Sequence, residues 1–220
     1  MRRFLLSLLP SAVAVTTGFA HFVYVVPAKD GKTVTVVFSE DLNPDEAVAI
    51  EKIASLKLTG VANGQETIVA CKTGKHELNA VLAADTKVAF GSITYGLMSR
   101  GDKPSLLVYH PKALLAGASE KEATIGAKAA LEVVPVTADG KTKFRLLAAG
   151  KPVADAEGSV LLPDGKKEKL KTDKDGYSTV FAGAGRYAVW LRQTEAKAGE
   201  HDGKKYEEVK HYATLVTDVK

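Results

Sequence analysis

Cysteine is almost absent from this sequence: Cys71 stands alone among 220 residues. A single thiol forms no intramolecular disulfide, and metal clusters built on several thiolates are excluded. Its flank, Thr67-Ile68-Val69-Ala70, reads as a strand, so Cys71 is expected as a small buried residue with no poised base beside it. Stability must then come from packing, which a hydrophobic fraction of 45% over this length permits. Past the first 20 residues no apolar run approaches the ~18 residues of a membrane-spanning helix. A basic block interleaved with aromatics is missing too. Lysines lie beside Asp and Glu along the chain, so nucleic acid is not an expected partner despite a formal charge of +4. The chain also lacks a G-x-S-x-G elbow, an H-E-x-x-H pair and a Gly-rich phosphate loop, which argues against the common hydrolytic and nucleotide-dependent enzymes.

What is present begins at the amino terminus. Arg2 and Arg3 precede an apolar run from Phe4 to Val15, followed by small residues at Gly18 and Ala20. That order is the charged, apolar and small-residue pattern of a secretory signal peptide, predicting residues 1–20 as the signal and cleavage after Ala20. The expected location is periplasmic or secreted, and the absence of a cysteine at the junction argues against a lipid anchor. The mature chain would start at His21. A terminal histidine offers its α-amine and its own imidazole to one metal ion, and imidazole nitrogen suits nickel, copper and zinc better than calcium or magnesium.

The remainder reads as short strands between turns, the pattern of an all-β fold. Strands are expected at Phe22 to Val26, Thr33 to Phe38, Thr67 to Lys72, Glu77 to Val81, Lys87 to Ile93 and Ser105 to Tyr109. Two helical insertions are expected among them. Asn43-Pro44-Asp45-Glu46 supplies a cap, a first-turn proline and early acids ahead of Ala47 to Ala54, and Pro111 to Ala116 reads as a second helical turn. Near residue 128 the texture shifts through Ala, Gly, Ser and charged residues, which suggests a boundary between an N-terminal β-sandwich (21–128) and a C-terminal β-sandwich (129–220). In the second part, strands are expected at Leu131 to Pro135, Lys143 to Ala148, Gly158 to Leu162, Glu168 to Thr172, Tyr177 to Phe181, Arg186 to Leu191 and Tyr212 to Val219. Asp173-Lys174-Asp175-Gly176 is too short for an EF-hand loop and reads as a hairpin turn.

Five histidines follow the signal. His76, in the polar turn after Gly74-Lys75, is expected to be solvated. His110 ends an apolar strand, a favourable position for a ligand. His201 lies in the polar insert Gly199-Glu200-His201-Asp202-Gly203, and His211 opens the last strand. The Glu200-His201-Asp202 cluster and His211 flank one hairpin, so they are candidates to converge. Their spacing lacks the i, i+2 or i, i+4 pattern that puts two imidazoles on one face. The candidate metal ligands are therefore His21, His110, His201 and His211, and ordinary hydrogen-bonded or exposed histidines are the competing reading for each internal position.

Two resemblances add to this reading. Gly150-Lys151-Pro152-Val153-Ala154-Asp155-Ala156, Leu161-Leu162-Pro163-Asp164-Gly165 and Thr172-Asp173-Lys174-Asp175-Gly176-Tyr177 resemble the secreted carboxypeptidase-regulatory-like and transthyretin-like sandwiches. That implies an immunoglobulin- or prealbumin-like C-terminal part. Ala20-His21-Phe22, Phe38-Ser39-Glu40-Asp41-Leu42, Gly91-Ser92-Ile93-Thr94-Tyr95-Gly96, Leu107-Val108-Tyr109-His110-Pro111-Lys112-Ala113 and Gly185-Arg186-Tyr187-Ala188-Val189 resemble a secreted two-domain β family. Some members of that family are labelled periplasmic components of nickel or cobalt uptake. The resemblance implies a histidine start and transition-metal binding, with His21 the first ligand and His110 the next. The expected function is a non-enzymatic exported protein that binds nickel, cobalt or copper, with a membrane component of metal uptake or a cell-envelope protein as partner. The alternatives are a structural module that docks to protein or glycan and, less favoured, a copper oxygenase with a terminal-histidine brace.

Overall fold

The computed structural model describes residues 21–99 and 103–220; the expected signal segment, 1–20, lies outside the described residues. The chain is all-β. Its first half contributes β1 (Phe22–Pro27), β2 (Thr33–Ser39), β3 (Lys57–Ala62), β4 (Gln65–Val69), β5 (Lys72–Thr73), β6 (Leu78–Val81), β7 (Thr86–Met98) and β8 (Ser105–Leu114). The second half contributes β9 (Glu132–Ala138), β10 (Lys141–Ala148), β11 (Lys151–Pro152), β12 (Glu157–Leu161), β13 (Lys167–Lys171), β14 (Tyr177–Ala182), β15 (Gly185–Glu195), β16 (Gly199–His201), β17 (Lys204–Tyr206) and β18 (Glu208–Val219). Tight hairpins form where the sequence supplies a residue tolerant of positive φ followed by glycine. Asn63-Gly64 joins β3 to β4 and Asp139-Gly140 joins β9 to β10, all four residues having φ between 51° and 76°.

These strands build one large sheet with smaller ones packed on it. The eight-stranded sheet has the order β13-β12-β15-β18-β8-β7-β3-β4, and β1-β2-β6-β5 form a second sheet. A third contains β11-β10-β14 with β9 beside β10, while β16 and β17 pair as a separate ribbon. Both sequence halves therefore share the large sheet. They meet where β8 and β18 pair in parallel, against antiparallel pairing in the other ladders. Strand alternation divides the core. Ala89, Tyr109, Ala113, Ala188 and Val216 join the apolar cluster beneath the four-stranded sheet, whereas their neighbours Val88, Leu114, Val189 and Leu215 join the cluster beneath β9, β10 and β14. A strand buried on both faces reads as a nearly continuous apolar run, as Ala213 to Val216 illustrate on β18, where Thr214 alone is polar.

The helical expectations were not met. Only a short 3-10 turn, Ile50–Ile53, forms where Ala47 to Ala54 was expected to be helical. The Asp45 carboxylate makes a local turn with the Ala47 N–H instead, at 2.8 Å from Oδ1. Pro111 to Leu114 continues β8 rather than starting a helix, because this segment is buried beside β18 and pairs with it through Ala113. The one α-helix among the described residues, α1 (Glu120–Ala123), carries a capping box between Ser119 and Glu122. The Asp173 turn is a hairpin: its Oδ1 accepts the N–H groups of Asp175 and Tyr177, both at 2.9 Å. Among the described residues no helix is long and apolar enough to cross a membrane.

One buried ion pair ties the segment between the halves to the sheet. Lys112 on β8 and Glu132 on β9 are each 2% exposed and bonded to one another. The Lys112 ammonium also donates to the Ala123 carbonyl at 2.8 Å, and Glu132 accepts the N–H groups of Ile125 and Gly126 at 3.1 and 2.7 Å. Burial lowers the Lys112 pKa, and the Glu132 charge opposes that shift. Removing one partner strands the other charge in the core, so Glu132→Ala is expected to cost about 3–5 kcal/mol in urea unfolding. The double variant Lys112→Met/Glu132→Leu should recover only part of this loss, because the two backbone N–H groups stay unpaired.

Candidate functional site

The histidines fall on opposite sides of the large sheet. His21 immediately precedes β1, where its carbonyl accepts the Tyr109 hydroxyl at 3.3 Å. Thr214 on β18 donates to the Val23 carbonyl at 2.6 Å, so β1 is fastened to the two central strands. Tyr109 belongs to the cluster on this side. The next residue, His110, therefore points to the other side, where Lys112 and Leu114 follow it along β8. His21 and His110 do not converge.

At the first location the His21 ring donates Nε2–H to Asp45 Oδ2 at 2.8 Å, with side-chain exposures of 24% and 32%. The Asp45 carboxyl lies below the usual range because the Ala47 N–H and the His21 bond favour its ionised form. An ionised carboxylate has no proton to offer, so the bond assigns the proton to Nε2 and leaves Nδ1 of neutral His21 as a lone pair. The ring edge rests on Phe38 at 5.8 Å between centroids, and Phe38 packs against Tyr95 and Tyr109 at 5.1 and 5.7 Å. Phe22, Trp190 and Tyr212 continue this aromatic floor.

The second location assembles a diagonal row across three neighbouring strands. His211 on β18 pairs in register with Gln193 on β15 and Val108 on β8, which makes Glu195 and His110 its diagonal neighbours. His110 Nε2 and His211 Nδ1 are 3.0 Å apart, and Glu195 Oε2 lies 3.5 Å from His211 Nε2. The two ring planes differ by 23°, with centroids 5.2 Å apart. Since the centroids exceed the nitrogen separation by about a ring's width, the rings meet edge to edge rather than face to face. Two ligands about 2.0–2.1 Å from a tetrahedral zinc would stand about 3.3 Å apart, with lone pairs turned to a common point. Here the two nitrogens face one another, and the pair as it stands is a hydrogen bond. With Glu195 accepting from His211 Nε2–H, His211 Nδ1 becomes the acceptor for His110 Nε2–H. His110, 6% exposed, lines a cleft of about 220 Å³ together with Ser92, Lys112 and Glu132.

His201 sits on the β16–β17 ribbon, and its charged neighbour is Asp202 at 3.4 Å. Among the described residues no group of three or more His, Cys, Asp or Glu side chains is arranged to hold a metal ion by itself. Of the four candidates, then, His110 and His211 come together, while His21 and His201 each stand apart with an aspartate. Sequence reasoning missed Asp45, which looked like a helix acid, and Glu195, whose only signal is the period-two continuation Leu191-x-Gln193-x-Glu195 of β15. Cys71 is half-buried, and burial raises its thiol pKa.

Burial and the neighbouring His211 push the His110 pKa down from 6.5 to about 4. Unfolded chains bind this proton near pH 6.5 and the folded chain does not, so stability should be full above pH 6.5 and decline as the pH falls towards 4. The loss attributable to His110 is of order 3 kcal/mol at the lower end. Urea unfolding at pH 7.5, 5.5 and 4 should show that slope, and His110→Leu should flatten it. An imidazole signal from His110 that titrates near pH 6.5 in the folded protein would contradict the assignment.

No family profile matches this chain, and no curated protein matches it. Among solved structures it is similar to one described as giving structural insight into host cell surface retention of a 1.5-MDa bacterial ice-binding adhesin. That likeness spans 91% of this chain and 66% of the other, at 14% identity and a TM-score of 0.24, and it carries no argument about function.

Proposed function

We propose that the protein is an exported, non-catalytic binding protein for a transition metal ion of the nickel, cobalt or copper class, held at the histidine that leads the first strand. The observation that carries this reading is the His21–Asp45 bond. Ligating histidines characteristically give their second ring N–H to a carboxylate, which sets the tautomer and orients the ring. His21 is held in that way before any metal arrives, with Nδ1 left as a donor. Cleavage after Ala20 would place an α-amine on the same residue, and amine and Nδ1 together close a chelate ring on one ion. Asp45 is itself fixed through Oδ1 by the Ala47 N–H, and the His21 main chain by Tyr109. The chelate would therefore stand on a rigid strand end rather than on a free tail. A membrane component of metal uptake is the partner class that suits such cargo.

The test uses exported protein whose amino terminus has been sequenced. Metal titration by calorimetry should show one tight site in protein beginning at His21. A Gly-Ser extension ahead of His21 should abolish the chelate, and Asp45→Asn should weaken binding by about 10–100-fold. Equal affinity in all three proteins would overturn the reading, as would a mature terminus other than His21.

A further inference from the structure

His110 carries a polar atom that the histidine row does not use. The row fixes its protons in one direction: Glu195 accepts His211 Nε2–H, and His211 Nδ1 accepts His110 Nε2–H. Burial and the neighbouring His211 keep the His110 ring neutral at pH 7, so its Nδ1 is left as a lone pair. Among the described residues the buried side-chain atoms without a partner are Glu40 Oε1 and His76 Nε2. His110 Nδ1 has no partner there either, yet is not one of them, so it keeps an opening to solvent. The cleft of about 220 Å³ that His110 lines supplies that opening.

The register explains what else meets this acceptor. Phe90 pairs with Lys112 and Ile93 with Tyr109, which sets Ser92 opposite His110. Ser92 pairs in turn with Lys57 on β3. His110, Ser92 and Lys57 thus form one row across three strands, about 10 Å between the outer Cα positions. All three line the cleft, and so does Phe90, two residues from Ser92 on the same face. Ile125 lines it from the segment that the Lys112–Glu132 pair clamps. The one carboxylate in the lining, Glu132, is bonded to Lys112, and Lys128 is paired with Glu66, so Lys57 leaves the cleft cationic. A few oriented polar groups among apolar side chains is how sites for small molecules are built.

We propose that this cleft is a further binding site, for a small aromatic hydroxy acid, whose hydroxyl donates to His110 Nδ1 and whose carboxylate meets Lys57 and the Ser92 hydroxyl. The ring of the ligand lies against Phe90 and Ile125. The acceptor and the ammonium stand at opposite ends of the row, which suits a hydroxyl and a carboxylate at opposite ends of a ring. This site is independent of the metal reading at His21, which lies on the other side of the large sheet.

The experiment titrates 4-hydroxybenzoate, benzoate and 4-hydroxybenzyl alcohol into the intact protein at pH 7.5 by calorimetry. 4-Hydroxybenzoate should bind about 10-fold tighter than benzoate, which lacks the donor, and tighter than the alcohol, which lacks the charge. His110→Phe should bind the two acids alike. Lys57→Met should weaken both acids by up to about 5-fold and keep the preference for the hydroxyl. Nitrogen NMR should show His110 Nδ1 unprotonated and moved by 4-hydroxybenzoate. Circular dichroism checks that both variants fold; if His110→Phe does not, Lys57→Met and the three probes on the intact protein decide the matter. No binding of any probe at millimolar concentration, equal binding of all three, or affinities unmoved by the variants would overturn the proposal.

Discussion

The parallel pairing of β8 with β18 is the constraint on which the other features depend. β8 closes the first half of the chain and β18 closes the second, and their ladder turns two groups of antiparallel strands into one eight-stranded sheet. Parallel ladders are favoured where both faces are covered, and this sheet is covered on both: by β1, β2 and β6 on one side and by β9, β10 and β14 on the other. The segment between the halves is not a loose tether. The buried Lys112–Glu132 pair and its backbone bonds to Ala123, Ile125 and Gly126 clamp it against β8.

The same geometry separates the histidines. Because side chains alternate along a strand, consecutive residues Tyr109 and His110 serve different layers. Tyr109 reaches the His21 carbonyl in one layer, while His110 meets His211 in the other. The chain thus holds two histidine sites of different chemistry. The first, at His21 and Asp45, has an imidazole oriented by a carboxylate and a nitrogen left open. In the second, three side chains use one another's donors in sequence from the exposed Glu195 to the buried His110. Proximity alone would have treated His110 and His211 as metal ligands; the edge-to-edge ring arrangement shows a hydrogen bond.

Much of the strand pattern was legible in the sequence because alternation and turn residues are local signals. The expected strands at Phe22, Thr33, Lys143 and Tyr177 lie within a residue or two of those observed, whereas the one at Arg186 to Leu191 runs four residues further, to Glu195. β3 was missed despite the Asn63-Gly64 turn that follows it, since Lys57 to Ala62 has a weak apolar pattern. The two helical expectations failed for tertiary reasons. Asp45 is drawn to His21, and the Pro111 segment is held in the sheet by its neighbours β7 and β18. His76 looked like a solvated turn residue because nothing in Gly74-Lys75-His76 tells that its imidazole Nε2 is buried once the chain folds.

From sequence alone came the all-β class, the exclusion of intramolecular disulfides and of clusters built on several thiolates, and the four histidines worth following. These are matters of composition and of periods of two residues, which a chain carries wherever it folds. Only the tertiary structure decided which histidines meet, because residues 110 and 211 are brought together by the ladder between two distant strands. It also decided that Asp45 orients His21 and that His76 Nε2 is buried without a partner. Such contacts arise from the pairing and layering of whole sheets, and no local pattern encodes them.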